Sequence, residues 1–165
     1  MIWVCRAGVK SKYMEYILET KRIYLPWSGF RENLSGYKDI ADIRKLVLKE
    51  KGDVSKTSIS NWSSQIHIFC QQIKVGDIIV IPYYKSRKYC IAKASSGYTY
   101  DESDKEGLWH SIKISILVKS IDRERFSKNM QYSLGAFRTV FRIKNEEEFL
   151  ATINKEIGAT ENDGF

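Results

Sequence analysis

An apolar hairpin pattern between Val75 and Asp101 constrains the fold of this chain more than any other feature, and it reads V-G-D-I-I-V-I-P-Y-Y-K-S-R-K-Y-C-I-A-K-A-S-S-G-Y-T-Y-D. Ile78 to Pro82 is an unbroken apolar run, which predicts a strand buried on both faces. After a basic turn, Tyr89 to Ala94 alternates like a strand with one inward side. We interpret Ser95 to Tyr100 as a flexible loop that presents aromatic rings, and the rest of the chain as walls around it.

Further strand patterns extend this hairpin into a sheet. Strands are predicted near residues 2–6, 22–25, 77–82, 88–94, 109–118 and 138–143. Because they are interspersed with helical patterns, we expect one sheet with helices packed on it, in the α+β class.

The clearest helical pattern runs from about Lys56 to Ile73. Its apolar residues recur at spacings of three and four and form one stripe: Ile59, Trp62, Ile66, Phe69 and Ile73. Helical spacing explains Trp62 completely, so we interpret it as core packing rather than as a ligand platform. A second helix is predicted over about 39–49, and a C-terminal helix is expected to begin after Asn145 and to end at Gly158.

Length and composition fit a single globular domain. The chain has 165 residues, of which 43% are hydrophobic, and we expect the domain over residues 1–158 with a polar tail or linker start at 159–165. The sequence has neither a membrane span nor a secretory signal, so a cytoplasmic location is expected. Cys5, Cys70 and Cys90 lie far apart among apolar neighbours and are interpreted as free buried thiols, with no metal site and no cofactor.

The charge of the chain is positive and uneven. The formal net charge is +7. Residues 1–100 carry 17 Lys and Arg against 8 Asp and Glu, whereas residues 101–165 carry 10 against 12. A basic excess around the hairpin favours a polyanionic partner, because phosphate contacts release counterions. A merely soluble basic surface is the alternative.

Catalytic motifs are missing from the sequence. Glu19-Thr20-Lys21 has the letters of a metal-dependent nuclease motif, but no aspartate precedes it and it falls at a predicted helix end. The chain has no phosphate-binding G-x-x-x-x-G-K-[ST] loop and no G-x-S-x-G nucleophile motif. We therefore expect a non-catalytic binding domain.

Six short motifs occur in a recognisable order: I-W-V-C-R-A-G, P-W-S-G, S-N-W-S-S-Q-I, V-G-D-I-I-V-I-P, S-G-Y-T-Y-D and Y-S-L-G-A-F-R-T-V-F-R-I. Over residues 1–144 they resemble the N-terminal module of Mrr-type restriction endonucleases, which is similar to the EVE and YTH domains of the PUA-like superfamily. The resemblance implies a strongly curved sheet or small β-barrel of about six strands wrapped by helices. It also implies a pocket that accepts a base flipped out of nucleic acid. The nuclease part of those enzymes is absent from this chain, so a nuclease domain or subunit is an expected partner.

The resemblance also implies the residues of the pocket. Trp27 would form one aromatic wall and Tyr98 or Tyr100 the other. Arg6, Ala7 and Gly8 would reach the base edge, and Ser28 would add a hydrogen bond. The candidates for phosphate contact are the basic residues near the hairpin turn and the first loop: Lys10, Lys12, Lys85, Arg87 and Lys88.

The leading hypothesis is a DNA-binding module that recognises a methylated or otherwise modified base in double-stranded DNA by flipping it into an aromatic pocket, as the targeting domain of a restriction system. A reader of RNA or of modified RNA is the second hypothesis, because net charge does not distinguish the two polymers. The third is a domain that binds a free nucleotide or another small molecule. Binding by a polymer reader weakens steeply as salt rises, and this dependence separates it from the third hypothesis.

Overall fold

The computed structural model describes residues 1–162 and has an α+β fold with one mixed six-stranded sheet. The strands are β1 (Ile2–Cys5), β2 (Arg22–Tyr24), β3 (Ile78–Pro82), β4 (Lys88–Tyr100), β5 (His110–Asp122) and β6 (Val140–Ile143). The α-helices of the described chain are α1 (Met14–Thr20), α2 (Ile40–Lys51), α3 (Lys56–His67), α4 (Lys128–Leu134) and α5 (Glu146–Asn162). The predicted strands and the two internal helices are therefore confirmed, with boundaries that differ by a few residues.

The sheet is open. Its strand order is β2-β5-β4-β3-β1-β6, so β2 and β6 are its edges, and no ladder joins them within residues 1–162. β1 runs parallel to β3, and the other neighbouring pairs are antiparallel. The edge strands have only three and four residues. A barrel, which requires the two edges to pair, is not supported.

β4 is longer than the sequence pattern predicted. The segment from Ser95 to Tyr100, which we expected to be a loop, continues the strand, and Tyr98 pairs with Ile112. An irregularity in register between Ala94 and Tyr98 accommodates the small residues of this segment. There the Ser96 hydroxyl accepts a hydrogen bond from the Lys113 amide at 2.9 Å, which replaces a ladder bond.

β3 is buried on both faces, as its apolar run predicts. Ile79, Val80 and Ile81 are each 0% exposed. Ile79 and Ile81 belong to the core beneath α1, α2 and α3, whereas Val80 belongs to the core beneath α4 and α5. The start of β4 is buried on both faces too. Cys90 and Ala92 belong to one core, and Tyr89 and Ile91 to the other. The predicted alternation of this strand with one inward side is therefore wrong. The sheet is thus covered by helices on each side, and its strand ends are left to form a site.

Two helix ends differ from the predictions. α3 leads at Ile68 into a π-helical turn that ends at Gln72, so the predicted helix to Ile73 is continuous but changes its winding. α5 continues past Gly158 to Asn162. Glycine lowers helix stability without forbidding a helical position, so it did not end this helix. The helix therefore covers part of the predicted 159–165 tail, whose residues 163–165 lie outside the described residues.

Candidate nucleic-acid interface

A cavity of about 790 Å³, which we call the cleft, opens where β1, β2 and β3 end and β6 begins. The parallel pairing of β1 with β3, and the antiparallel pairing of β1 with β6, bring these strand ends together. α3 forms the side wall. The lining residues come from five segments: Arg6 and Gly8 to Ser11, Pro26 and Trp27, Ser58 to Gln65 of α3, Pro82 to Lys85, and Phe137 to Thr139.

Trp27 and Trp62 form the aromatic wall of the cleft. Their ring centroids are 6.4 Å apart and their planes are inclined by 46°. The Lys51 ammonium lies 4.9 Å from the centre of the Trp62 ring and donates a hydrogen bond to the Ser28 carbonyl at 3.1 Å. It thereby ties the loop that carries Trp27 to the end of α2.

The interpretation of Trp62 as core packing is correct only in part, because Trp62 packs against the core and also lines the cleft. Along the stripe of α3, Ile66 and Phe69 are 0% exposed, whereas Ile59 and Trp62 are only partly buried. The first turns of α3 extend beyond the covered part of the sheet, so the same periodic stripe is core at one end and cleft wall at the other. Periodicity reports which residues share a face and does not report what covers it.

The floor of the cleft contains unusual backbone. Gly8 has φ +79°, and a Cβ there would lie 2.8 Å from the Tyr13 ring, so the position requires glycine. Lys10, Ser11 and Lys85 line the cleft and have positive φ, an arrangement that costs about 1–3 kcal/mol per non-glycine residue. Such backbone is enriched at functional sites, which is one reason to treat the cleft as a candidate site.

Arg6 joins the cleft to the loop before β6. Its Nε donates to the Arg138 carbonyl at 2.9 Å and its Nη2 donates to the Ala136 carbonyl at 2.8 Å. Burial lowers the pKa of Arg6, yet a guanidinium stays charged at any physiological pH. Arg6 therefore brings a positive charge to the cleft and fixes the neighbouring loop.

A smaller depression of about 300 Å³, which we call the groove, continues from the cleft past Arg6, Lys85 and Phe137. It adds three cations, Arg87, Lys88 and Arg123. Within the part of the chain that the structure describes, no Asp or Glu lines either the cleft or the groove. The two depressions thus form one continuous cationic surface.

Carboxylates outside the groove hold two of its cations. Arg87 lies 3.2 Å from Glu124 and Lys88 lies 4.0 Å from Asp122, and these four side chains are exposed. Exposed pairs of this kind contribute about 0–1 kcal/mol, so a phosphate can replace the carboxylate. The Arg123 Nε is buried and finds no hydrogen-bond partner within residues 1–162. The weakly paired Arg87 and Lys88 are therefore suited to phosphate.

Comparison with known proteins places the chain in a family. A family model described as a domain of unknown function (DUF8426) matches residues 3–144. The chain belongs to this family. The NMR structure of Rpa0253 from Rhodopseudomonas palustris, a structural genomics target, is similar to this chain with a TM-score of 0.41 and 15% sequence identity. The match covers 96% of this chain and 93% of the Rpa0253 chain. A search of curated proteins found no match.

The structure of this DUF8426 domain brings together some of the predicted site residues and separates others. Arg6, Gly8, Lys10, Trp27 and Lys85 line the cleft. Lys85 also lines the groove, together with the predicted Arg87 and Lys88.

The other predicted residues lie elsewhere in the domain. Ala7 is 2% exposed and belongs to the core. Ser28 does not line the cleft but a small neighbouring depression, which Trp27 shares with Trp109. Lys12 is exposed and lies over the Tyr13 ring. Neither Tyr98 nor Tyr100 lines the cleft, so the second aromatic wall is Trp62.

Tyr98 has a structural role with His110. The Tyr98 hydroxyl accepts from the Leu34 amide at 3.1 Å and donates to His110 Nδ1 at 2.6 Å. His110 Nε2 donates in turn to the Phe30 carbonyl. With His110 neutral and protonated on Nε2, this chain of bonds fixes the loop between β2 and α2 to the sheet. Burial lowers the pKa of His110 and so favours the neutral form. The Tyr100 ring packs against the Trp109 and His110 rings.

His110 predicts a dependence of stability on pH. Burial lowers its pKa from 6.5, against the opposing effect of its bond to Phe30. The unfolded chain therefore binds a proton that the folded chain rejects, so the free energy of unfolding is full above about pH 6.5 and falls as pH drops below it. Urea denaturation across this range should show the fall in wild type and a smaller one in His110→Gln. If the free energy of unfolding falls equally with decreasing pH in the two proteins, this role of His110 is contradicted.

The described residues give no support to a metal site, a reactive thiol or a membrane-spanning helix. No group of three or more His, Cys, Asp or Glu that could hold a metal ion occurs among residues 1–162. Burial raises the pKa of the Cys5, Cys70 and Cys90 thiols, which keeps them protonated near neutral pH. No described helix has the length and apolarity needed to cross a membrane.

Proposed function

We propose that this domain is a non-catalytic nucleic-acid-binding module that holds one extruded base of double-stranded DNA, preferentially a modified base, in the cleft. The observation that carries the proposal is a cationic surface to which the described residues contribute no carboxylate, with Trp27 and Trp62 at one end of it. Cations contact phosphates without regard to sequence, whereas aromatic rings stack on bases. The surface offers the two in one continuous track.

The geometry of the tryptophans suits a corner rather than a sandwich. With centroids 6.4 Å apart and planes inclined by 46°, the two rings contact each other. A base therefore stacks on one ring and packs its edge against the other. Stacking contributes about 1–3 kcal/mol per base, which is comparable with the few kcal/mol that extrusion from the duplex requires.

Polar groups beside the tryptophans can read the edge of the base. Asn61 and Ser58 line the cleft from α3, where Asn61 directly precedes Trp62 and Ser58 lies one turn before it. Asn61 Oδ1 accepts a long bond of 3.4 Å from Arg138, while its Nδ2 makes no hydrogen bond within the described chain. An asparagine amide pairs readily with a base edge, so we assign base contact to Asn61.

The relation to EVE and YTH domains, and a role as the targeting domain of a restriction system with a nuclease domain or subunit as partner, belong to this proposal. Their support is the order of the six sequence motifs, of which I-W-V-C-R-A-G and P-W-S-G supply Arg6, Gly8 and Trp27 to the cleft. RNA is the alternative polymer. A free nucleotide is favoured only by the cleft volume of about 790 Å³, which falls within the range of small-molecule sites.

One binding panel tests the proposal. Duplex DNA, single-stranded DNA and RNA of matched sequence, each with and without a single modified base, are titrated at several salt concentrations. We expect the modified DNA duplex to bind best and its affinity to fall steeply with salt. Preference for RNA would contradict the assignment of DNA as the ligand and favour an RNA reader. Binding of free nucleotides with little salt dependence would contradict polymer binding altogether and favour a nucleotide-binding domain.

The groove cations predict the size of the salt dependence. In Arg87→Ala/Lys88→Ala, two phosphate contacts are lost, so the slope of log K against log salt should decrease by roughly 2. Modified and unmodified duplexes should weaken alike, because these contacts read no base. The matched control is Arg44→Ala/Lys45→Ala, an exposed pair on α2 that lines neither the cleft nor the groove. An unchanged slope in the groove variant, or the same loss in the control, would contradict the assignment.

A further inference from the structure

Phe137 has the most exposed side chain among the large hydrophobic residues of the described chain. Its relative exposure is 104%, and it lies in the short loop between α4 and β6. It lines both the cleft and the groove, at the point where the two meet. A ring that is wholly exposed to water does not stabilise the fold. Exposed apolar groups that cluster at the rim of a cavity are typical of binding surfaces, so Phe137 is a candidate for contact with the nucleic acid.

The loop that carries Phe137 is held firmly. Arg6 bonds the carbonyls of Ala136 and Arg138, the residues on either side of Phe137. Gln65 Oε1 accepts from the amides of Thr139 and Val140, at 2.8 and 3.0 Å. These bonds fix the backbone on both sides of the ring. Phe137 is therefore presented at a defined place.

The surroundings of Phe137 are cationic and apolar. Arg6, Lys85 and Arg138 line the cleft around it, and the exposed side chains of Val9 and Tyr84 share the same rim. No carboxylate of the described residues lines this surface. An apolar ring on a fixed backbone and surrounded by positive charge complements a nucleic-acid duplex, whose phosphates flank an apolar stack of bases, better than it complements a protein.

We infer that Phe137 is a wedge that enters the base stack of the duplex and fills the place left by the extruded base. This inference rests on the proposed function and deepens it. Apolar side chains of this kind enter base steps in duplexes that proteins deform, and they stabilise the unstacked state. The wedge and the tryptophan corner then act on the same base pair, one from inside the stack and one from the cleft.

A single-stranded ligand separates the wedge from other roles of Phe137. In a single strand no duplex has to be opened, so a wedge adds nothing to binding. We expect Phe137→Ala to weaken binding to a duplex with one modified base roughly tenfold or more. For a single strand that carries the same modified base, the affinity of Phe137→Ala should equal that of wild type. Phe137→Leu should retain most of the affinity for the duplex. Fluorescence anisotropy with labelled oligonucleotides measures these affinities.

Tyr132 provides the matched control. It is 86% exposed, lies on α4, and lines neither the cleft nor the groove. Tyr132→Ala should bind both ligands as wild type does. Because Phe137 and Tyr132 are both exposed, neither substitution is expected to unfold the domain, and a thermal melt checks this.

The outcomes separate the wedge from the function. If wild type prefers neither modified ligand over its unmodified counterpart, the proposed function fails and the wedge fails with it. If wild type prefers the modified duplex but Phe137→Ala binds it equally well, only the wedge is overturned. A ring that docks a protein instead of nucleic acid would give this result. Equal losses on duplex and single strand also overturn the wedge, because Phe137 then contacts nucleic acid without entering the stack.

Discussion

Trp27→Ala is expected to weaken binding to a duplex with one modified base by roughly tenfold or more. The substitution removes one ring of the corner formed with Trp62, and base stacking on an aromatic ring contributes about 1–3 kcal/mol. Binding to unmodified duplex should change much less, since its contacts are mainly to phosphates. Affinities of the two duplexes, measured by anisotropy at one salt concentration, give the comparison.

Trp109→Ala is the matched control for Trp27→Ala. Trp109 is also partly buried and packs against the Tyr100 ring at 6.1 Å, but it does not line the cleft. It should leave the preference for modified duplex unchanged. If Trp27→Ala binds modified duplex like wild type, the cleft is not the base site, and the proposed function loses its main support.

Trp3→Ala is expected to cause the largest loss of stability. Trp3 is 1% exposed in β1, and removing such a ring from a core costs about 3–5 kcal/mol of unfolding free energy. Its indole also donates to Asp77 Oδ2 at 2.9 Å. The substitution therefore opens a cavity and removes one bond from a partly buried carboxylate.

Urea denaturation measures this loss, with Trp62→Ala as the comparison. Trp62 is only partly buried at the cleft, so its replacement should destabilise the domain clearly less than Trp3→Ala. Equal losses for the two variants would show that Trp62 is a core residue, as its helical spacing first indicated. They would also weaken its assignment as a wall of the cleft.

The sequence predicts the elements of this fold that depend on local patterns, and it does not predict those that depend on contacts between residues far apart in the chain. The apolar run from Ile78 to Pro82 and the stripe of α3 are local patterns, and both were interpreted correctly as elements. Closure of the sheet depends on whether β2 and β6 meet, two strands that lie more than a hundred residues apart, and no local pattern encodes it. The extension of β4 beyond Ala94 rests on its pairing with β5 and on the bond between Ser96 and the Lys113 amide. Both are contacts with a distant strand, whereas the composition of the segment indicated a loop.

The candidate site was predictable where a side chain had no local structural explanation. Trp27 follows a proline at a strand end, and Gly8 follows a strand, so each indicated a site. Trp62 was missed because the helical stripe explained it, and Tyr98 was misplaced because its segment is strand rather than loop. Phe137 was missed although it carried a signal, since an aromatic residue between Gly135-Ala136 and Arg138 fits neither a strand nor a helix pattern.

The central claim is that a base lies against Trp27 and Trp62, and the four tryptophans of the chain provide the reporters for it. Trp27 and Trp62 line the cleft, whereas Trp3 is buried in β1 and Trp109 lines a neighbouring depression that Trp27 shares. The measurement is an NMR titration of the indole N–H signals, assigned by single substitutions, with a short duplex that carries one modified base. We predict large shifts for Trp27 and Trp62 and little change for Trp3 and Trp109. Saturated binding with Trp27 and Trp62 unshifted would contradict the account.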